Sequence, residues 1–181
     1  MTTTEAELWA RARTHDGRAF AELFDLHRDR VFRHSLRLCD GAHDAEEVTA
    51  AAFFELWRRR SRVALVNDSV LPWLLVTASK LARNSSRGIR RYRALFDSLP
   101  RGERMPDAEE QAMTSLRDSE VTELLDTLPP VDAALITLVV LEGYPTTEAA
   151  ALLKISDGAA RTRLHRAKHK LRGTLMTKEA Q

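Results

Sequence analysis

The residues of this 181-residue chain best suited to chemistry are Arg161, Thr162, Arg163, His165, Arg166 and Lys168. Their chemistry is recognition rather than bond-making. Arginine and lysine donate in pairs to the acceptors of guanine, and threonine can bond a base edge or a phosphate oxygen. From Asp157 to Arg172, six Lys or Arg stand against a single Asp, so the stretch suits a polyanion. The bland alternative is a solvated face of an ordinary helix. Bond-making chemistry finds less support. The adjacent His43-Asp44 pair could ligate a metal in a helical phosphohydrolase, but His15, His27 and His34 form no recognisable ligand spacing with it. No glycine-rich phosphate loop is present, and no Ser-His-Asp arrangement can be argued. Neither a catalytic residue nor a metal, a cofactor or a small-molecule substrate is expected.

The elements that must position the basic residues follow from periodicity. Ala, Leu, Arg and Glu dominate, while Gly and Pro number only 7 and 6, so the expected fold is all-α. Thr146 or Thr147 caps a short helix carrying Ala149, Ala150, Leu152 and Leu153. A turn follows over Lys154-Ile155-Ser156-Asp157-Gly158, and a second helix runs from about Ala159 to Arg172. Small Ala149 and Ala150 allow a close crossing, Ile155 plugs the turn, and Leu164 and Ala167 face inward. This is a helix-turn-helix pattern whose basic second helix fits a major groove.

Upstream, apolar residues recur at helical spacing from Ala6 to Cys39, broken at Asp16-Gly17-Arg18, where Asp16 is a good cap. Asp40-Gly41 is expected to end the second helix with a left-handed glycine. A third helix covers about Ala42 to Arg62, residues 63–71 form a loop, and Pro72 opens a fourth helix reaching about Arg93. Lys80 to Arg93 holds six basic residues and no acid, whereas Glu103 to Glu123 holds seven acids against two Arg. The fold class is therefore two small helical domains joined by a flexible linker: residues 1–96, an acidic linker over 97–117, and residues 118–181. Cys39 is the only cysteine, cannot form an internal disulfide, and sits in an apolar stretch as a core thiol. The first residues are no signal peptide, and no apolar run approaches the ~20 residues of a membrane helix, so the expected location is cytoplasmic, away from the membrane.

The residues Leu128-Pro129, Glu142-Gly143-Tyr144, Glu148 to Leu153 and Ile155 to Ala167 resemble region 4 of sigma-70-type factors of the extracytoplasmic-function (ECF) group. Phe20-Ala21-Glu22-Leu23-Phe24, Asp44 to Val48, Phe53 to Trp57, Pro72 to Leu75 and Ala82-Arg83-Asn84 resemble region 2 of the same family. The resemblance implies a sigma factor that binds core RNA polymerase, recognises the −35 and −10 elements of promoter DNA and promotes melting. It implies polymerase contacts from Asp44, Glu46, Glu47, Phe53, Glu55 and Trp57, with Trp57 serving as core or clamp-facing. It implies −35 contacts from the six residues named first. An extruded −10 base needs polar readers, for which Asn67, Asp68 and Ser69 are the candidates, with Lys80, Arg83, Asn84 and Arg87 holding the adjacent backbone. Trp73 reads as core more than as a DNA contact. An anti-sigma protein is a plausible further partner.

The sequence departs from the family at three places. Ala50 and Ala51 stand where Gln and an acid are common, so part of the family's usual polar contact with the clamp is expected to be lost. Lys80 replaces a frequent Asn in the −10 helix, and Thr147 a usual acid in the first helix of the helix-turn-helix. A transcriptional regulator acting without polymerase explains the second half of the chain equally well. It leaves the Asp44 to Trp57 match without a role.

Overall fold

The computed structural model describes residues 3–97 and 121–179, with side chains described over 3–84 and 121–176. The expected linker lies almost wholly outside these residues. Helix α1 (Glu5–Arg13) starts at a capping box: the Thr4 hydroxyl accepts from Glu7 N at 3.3 Å, and the Glu7 carboxylate accepts from Thr4 N at 2.8 Å. Helix α2 (Gly17–Leu36) follows at once, because Asp16 accepts from the N–H groups of Arg18 and Ala19 at 3.0 and 3.1 Å. Helices α3 (Ala42–Arg59) and α4 (Leu71–Asp97) complete a bundle with α2. Leu23, Val31, Ala52, Leu56, Leu74 and Ala78 meet in its centre with no exposed surface.

Three boundaries differ from expectation for local reasons. Gly41 has φ −178°, so it is extended and precedes α3 rather than closing α2 in the left-handed region. Helix α2 already stops at Leu36, through bonds from Arg37 N and Leu38 N to the carbonyls of His34 and Ser35. Helix α3 ends at Arg59, where the N–H groups of Arg60 and Arg62 bond carbonyls only three residues back.

The second half begins with residues 121–126 (α5). Helix α6 (Pro130–Leu135) starts on a proline, whose missing N–H is harmless in a first turn. It runs straight into a π-helical turn, Ile136–Leu141, which the apolar periodicity did not reveal. Glu142 N reaches back five residues to Thr137 O at 3.1 Å, and Gly143 then takes φ +74° to turn the chain. Helix α7 (Thr146–Leu153) follows Pro145, and neither Thr146 nor Thr147 makes a side-chain cap. The last helix, α8 (Asp157–Glu179), starts two residues earlier than the spacing predicts, with Ser156 Oγ accepting from Ala159 N at 3.2 Å.

The two halves touch. Helix α4 packs against the π-helical turn and α7, and the buried apolar residues of both halves form one continuous cluster. No helix among the described residues is long and apolar enough to cross a membrane.

Candidate nucleic-acid and partner interface

The turn between α7 and α8 is set by Lys154, which takes φ +55° and ψ 44°. A lysine, not a glycine, thus occupies the left-handed position. Ile155 N bonds Ala150 O at 3.1 Å and its side chain packs half-buried on the core. Ala149 and Ala150 are each 1% exposed, so the helices cross with little between their backbones. Ala160, Leu164 and Ala167 anchor α8 from below. That 4- and 3-residue spacing leaves Arg161, Thr162, Arg163, His165, Arg166 and Lys168 on the outside, all exposed.

These six are not equally available. Thr162 Oγ1 donates to Gly158 O at 3.0 Å, within its own helix. Arg163 Nη1 donates to Asp132 Oδ1 of α6 at 2.9 Å, so this arginine meets DNA only by leaving or sharing a carboxylate. Arg166 and Thr162 line a shallow recess of about 350 Å³ with Asp132 and Gly158.

The second candidate surface is the loop between α3 and α4. Val66 and Ser69 exchange backbone bonds of 3.0 and 3.2 Å around Asn67 and Asp68, whose φ values are +50° and +57°. Two successive positive values mark a tight hairpin turn, and Asn and Asp are the non-glycine residues that tolerate it best. Buried Val63 and Val70 pin its ends. Glu5 of α1 accepts from Val70 N at 2.7 Å and lies 2.9 Å from His27 Nε2. Burial pulls the Glu5 carboxyl upward, but the His27 and Val70 bonds outweigh it and hold it below its usual range. Asn67 and Asp68 therefore stand exposed on a braced tip. Ser69 does not join them: its hydroxyl accepts from Leu71 N at 3.1 Å and starts α4. Asn67 and half-buried Trp73 line a cleft of about 990 Å³ with Arg58, Arg59, Arg62 and Lys154.

Lys80 and Asn84 sit one helical turn apart on α4, both exposed. Arg83 between them is withdrawn. Its Nε donates to Asp126 Oδ1 at 2.9 Å and its Nη2 to Leu128 O at 3.3 Å, both from the second half. The Arg87 side chain lies outside those described.

The third candidate surface, on α3, needs one correction. Phe53 is only 3% exposed and packs edge-on against Phe24 at 4.7 Å between ring centroids, so it belongs to the core. The exposed aromatic is its neighbour Phe54, at 64%. Both Phe53 and Phe54 fall outside the buried Ala45-Val48-Ala52-Leu56 stripe, so the spacing did not separate them. Trp57 is half-buried, 4.9 Å from Phe20, with the Arg60 guanidinium 4.2 Å above its ring. Glu46 and Glu47 are exposed, and Asp44 lies in the first turn of α3. Glu55 is bound to Arg58 and Arg59 at 2.7 Å each, and these hydrogen bonds, Arg58 first, lower its carboxyl. Between α2 and α3, Phe24, Phe32, Thr49 and Ala50 line a recess of about 350 Å³ rimmed by Arg28, Asp29 and Glu46. Small Ala50 leaves part of that space open.

Among the described residues the remaining titratable groups form no cluster of three or more His, Cys, Asp or Glu suited to a metal. His43 is exposed and 3.6 Å from Glu47. Burial, with Asp44 and Asp40 adding repulsion, pushes the Cys39 thiol up to about 12. A thiol held there is protonated and unreactive.

The described residues define a helical protein with a helix-turn-helix in its second half that presents an exposed basic face. Residues 23–92 match the family model for Sigma-70 region 2, and residues 118–171 match that for Sigma-70, region 4. The chain is 31% identical over 159 residues to the ECF RNA polymerase sigma factor SigE of Mycolicibacterium smegmatis, covering 85% of this chain and 60% of SigE. It is 31% identical over 160 residues to RNA polymerase sigma factor CarQ of Myxococcus xanthus, covering 87% of this chain and 89% of CarQ. Among solved structures, CnrH in complex with the cytosolic domain of CnrY is similar in fold over 96% of this chain and 97% of that one, with a TM-score of 0.59 at 21% identity. The chain belongs to the sigma-70 family of RNA polymerase sigma factors, in the extracytoplasmic-function group.

Proposed function

We propose that the chain binds core RNA polymerase, directs it to promoters and helps open them, performing no bond-making chemistry itself. The observation that carries this reading is the exposed basic face of α8, mounted on a tight two-helix crossing, in a chain that also carries region 2. In this reading α8 enters the duplex −35 element through Arg161, Arg166 and their neighbours. The Asn67-Asp68 tip meets an unpaired −10 base, and Lys80 and Asn84 hold its backbone. Binding energy for the extruded base offsets an unstacking cost of a few kcal/mol, so melting requires no hydrolysis. The face of α3 that presents Glu46, Glu47 and Phe54, with the recess beside Ala50, docks on the polymerase. Residues 1–96 and 118–181 act as the two promoter-reading units, and residues 97–117 connect them. Such a protein works in the cytoplasm, where the promoter is. CnrH is held by the cytosolic domain of CnrY in its solved complex, and by that likeness we extend the proposal to an anti-sigma partner for this chain.

Run-off transcription with core polymerase on a library of promoter fragments tests the reading. Transcripts starting a fixed distance below a shared −35/−10 pair are the expected result. Core polymerase left unbound, with the chain alone shifting duplex DNA, would place it among ordinary helix-turn-helix regulators.

A further inference from the structure

Glu142 belongs to the second half, yet its carboxylate is buried among side chains of the first. Its side chain has no exposed surface. Oε2 accepts from Arg30 Nη2 at 2.8 Å and Nε at 3.2 Å. Oε1 accepts from Arg37 and lies 2.6 Å from His34 Nδ1. The His34 ring, also with no exposed surface, continues inward: its Nε2 lies 2.8 Å from Ser79 Oγ on α4. Thr137 of the π-helical turn donates to that same oxygen at 3.4 Å. A polar chain thus runs from Glu142 through His34 and Ser79 to Thr137, crossing between the halves twice. Three further bonds cross between the halves, Arg83 to Asp126 and to Leu128 O, and Thr122 Oγ1 to Leu38 O at 2.7 Å.

The π-helical turn explains how Glu142 arrives there. The wider turn shifts the end of the helix, and left-handed Gly143 then swings the chain back, with Tyr144 N bonding Leu138 O at 2.9 Å. Glu142 is the residue at the corner.

This contact obstructs one of the proposed DNA surfaces. Arg83 cannot hold a DNA phosphate while it holds Asp126, and in this pair the two side chains are only 11% and 12% exposed. The cleft containing Asn67 and Trp73 is walled on its other side by Thr147, Glu148, Ala151 and Leu152 of α7. The helix-turn-helix is thereby parked across the −10 loop.

We propose that the chain restrains itself in a closed arrangement, with Glu142 latched into a socket of Arg30, His34 and Arg37, and that the latch must open before the −10 surface can bind DNA. This rests on the function proposed above. A latch of ions suits the task. Ion pairs rehydrate when they separate, so a buried polar contact contributes less net stability than its geometry suggests. Polymerase or promoter that binds only the open form can then draw the equilibrium over. The observed affinity is the intrinsic affinity reduced by the open fraction.

The test uses the full chain with dyes on Glu22→Cys and Met176→Cys, both exposed positions in opposite halves; buried Cys39 stays unlabelled. The wild type is expected to show one short dye-to-dye distance. Glu142→Ala should add a long, broad population and tighten binding to core polymerase and to −10 single strands about tenfold, which corresponds to about 1.4 kcal/mol. Asp126→Asn, which leaves Glu142 in place, should move both readouts the same way and decides the matter if Glu142→Ala fails to fold. Distances unchanged in the folded variants would overturn the latch. Distances that lengthen without tighter binding would show a closed state that restrains nothing. Failure of every form to bind polymerase or DNA would instead count against the proposed function, with the distance measurement still judging the latch.

Discussion

The two surfaces proposed to face DNA are built in opposite ways. On α8 a single helix supplies all six candidate residues, and burial of Ala160, Leu164 and Ala167 is enough to turn them outward. The proposed −10 surface has no such economy. Its candidates come from a hairpin tip and from α4, and they are sorted by what packs against them. Asn67, Asp68, Lys80 and Asn84 remain exposed, Ser69 is spent on starting α4, and Arg83 is bound by the other half of the molecule. A surface carried on one element is ready as soon as that element folds. A surface assembled from several elements can also be disassembled, which makes it the natural place for control.

The sharpest test of this contrast lies within α8. Among the described residues Arg161 has no acidic partner and bonds only Asp157 O, at 3.4 Å, whereas Arg163 holds Asp132. Arg161→Ala should cost about 1–3 kcal/mol at a matched −35 duplex if it reads a base. Arg163→Ala should cost less, because the wild type must first give up or share its carboxylate. Fluorescence anisotropy on matched and scrambled duplexes separates the cases. A loss equal on both sequences would mark Arg161 as a phosphate contact, and a larger loss at Arg163 would show that the Asp132 pair does not compete with DNA.

A smaller, graded effect is expected from acid. Burial alone would raise the Glu142 carboxyl, but His34 above all, with Arg30 and Arg37, holds it at about 2 against an ordinary 4.5. A depressed carboxyl contributes its stability above the ordinary value and loses it as pH falls toward the depressed one. Closure should therefore be unaffected by Glu142 from neutrality to about pH 5 and weaken from about 4.5 toward 2. The same dye pair reads this, and Glu142→Gln should remove the dependence. A wild-type distance that stays constant from pH 5 to pH 3 while the helices persist would sink the assignment.

These contrasts also explain what could be read from the sequence. The α7–α8 turn was legible because its determinants are local: small residues at the crossing, an apolar plug, and basic residues on one face. The loop around Asn67-Asp68 was legible for the same reason, though its tight hairpin geometry was not. Phe53 and Phe54 were harder. Adjacent residues of a helix differ by about 100° in direction, and only the packing of Phe20 and Phe24 determines which of the two is buried. The partner of Arg83 lies 43 residues away and that of His34 lies 108 away, so no window of sequence could contain either pair. The π-helical turn was hidden because Ile136 to Leu141 is apolar apart from Thr137 and carries no clear period to violate.

The smallest predicted effect bears on the exposed remainder of the −10 surface. Lys80 stands on α4 with its ammonium in solvent, one turn from Asn84 and beside the occupied Arg83. A solvated lysine on DNA acts as a point charge on phosphate, without preference for sequence. Lys80→Ala should weaken single-strand binding a few-fold on every sequence and lower the salt dependence of log K by about one phosphate contact. The effect should grow in Asp126→Asn, where the open form exposes more of the surface and Arg83 no longer faces the Asp126 carboxylate. If the loss instead depends on sequence, Lys80 touches a base. The replacement of a common Asn by Lys at this position would then have changed what the promoter must contain, and not merely how tightly it is held.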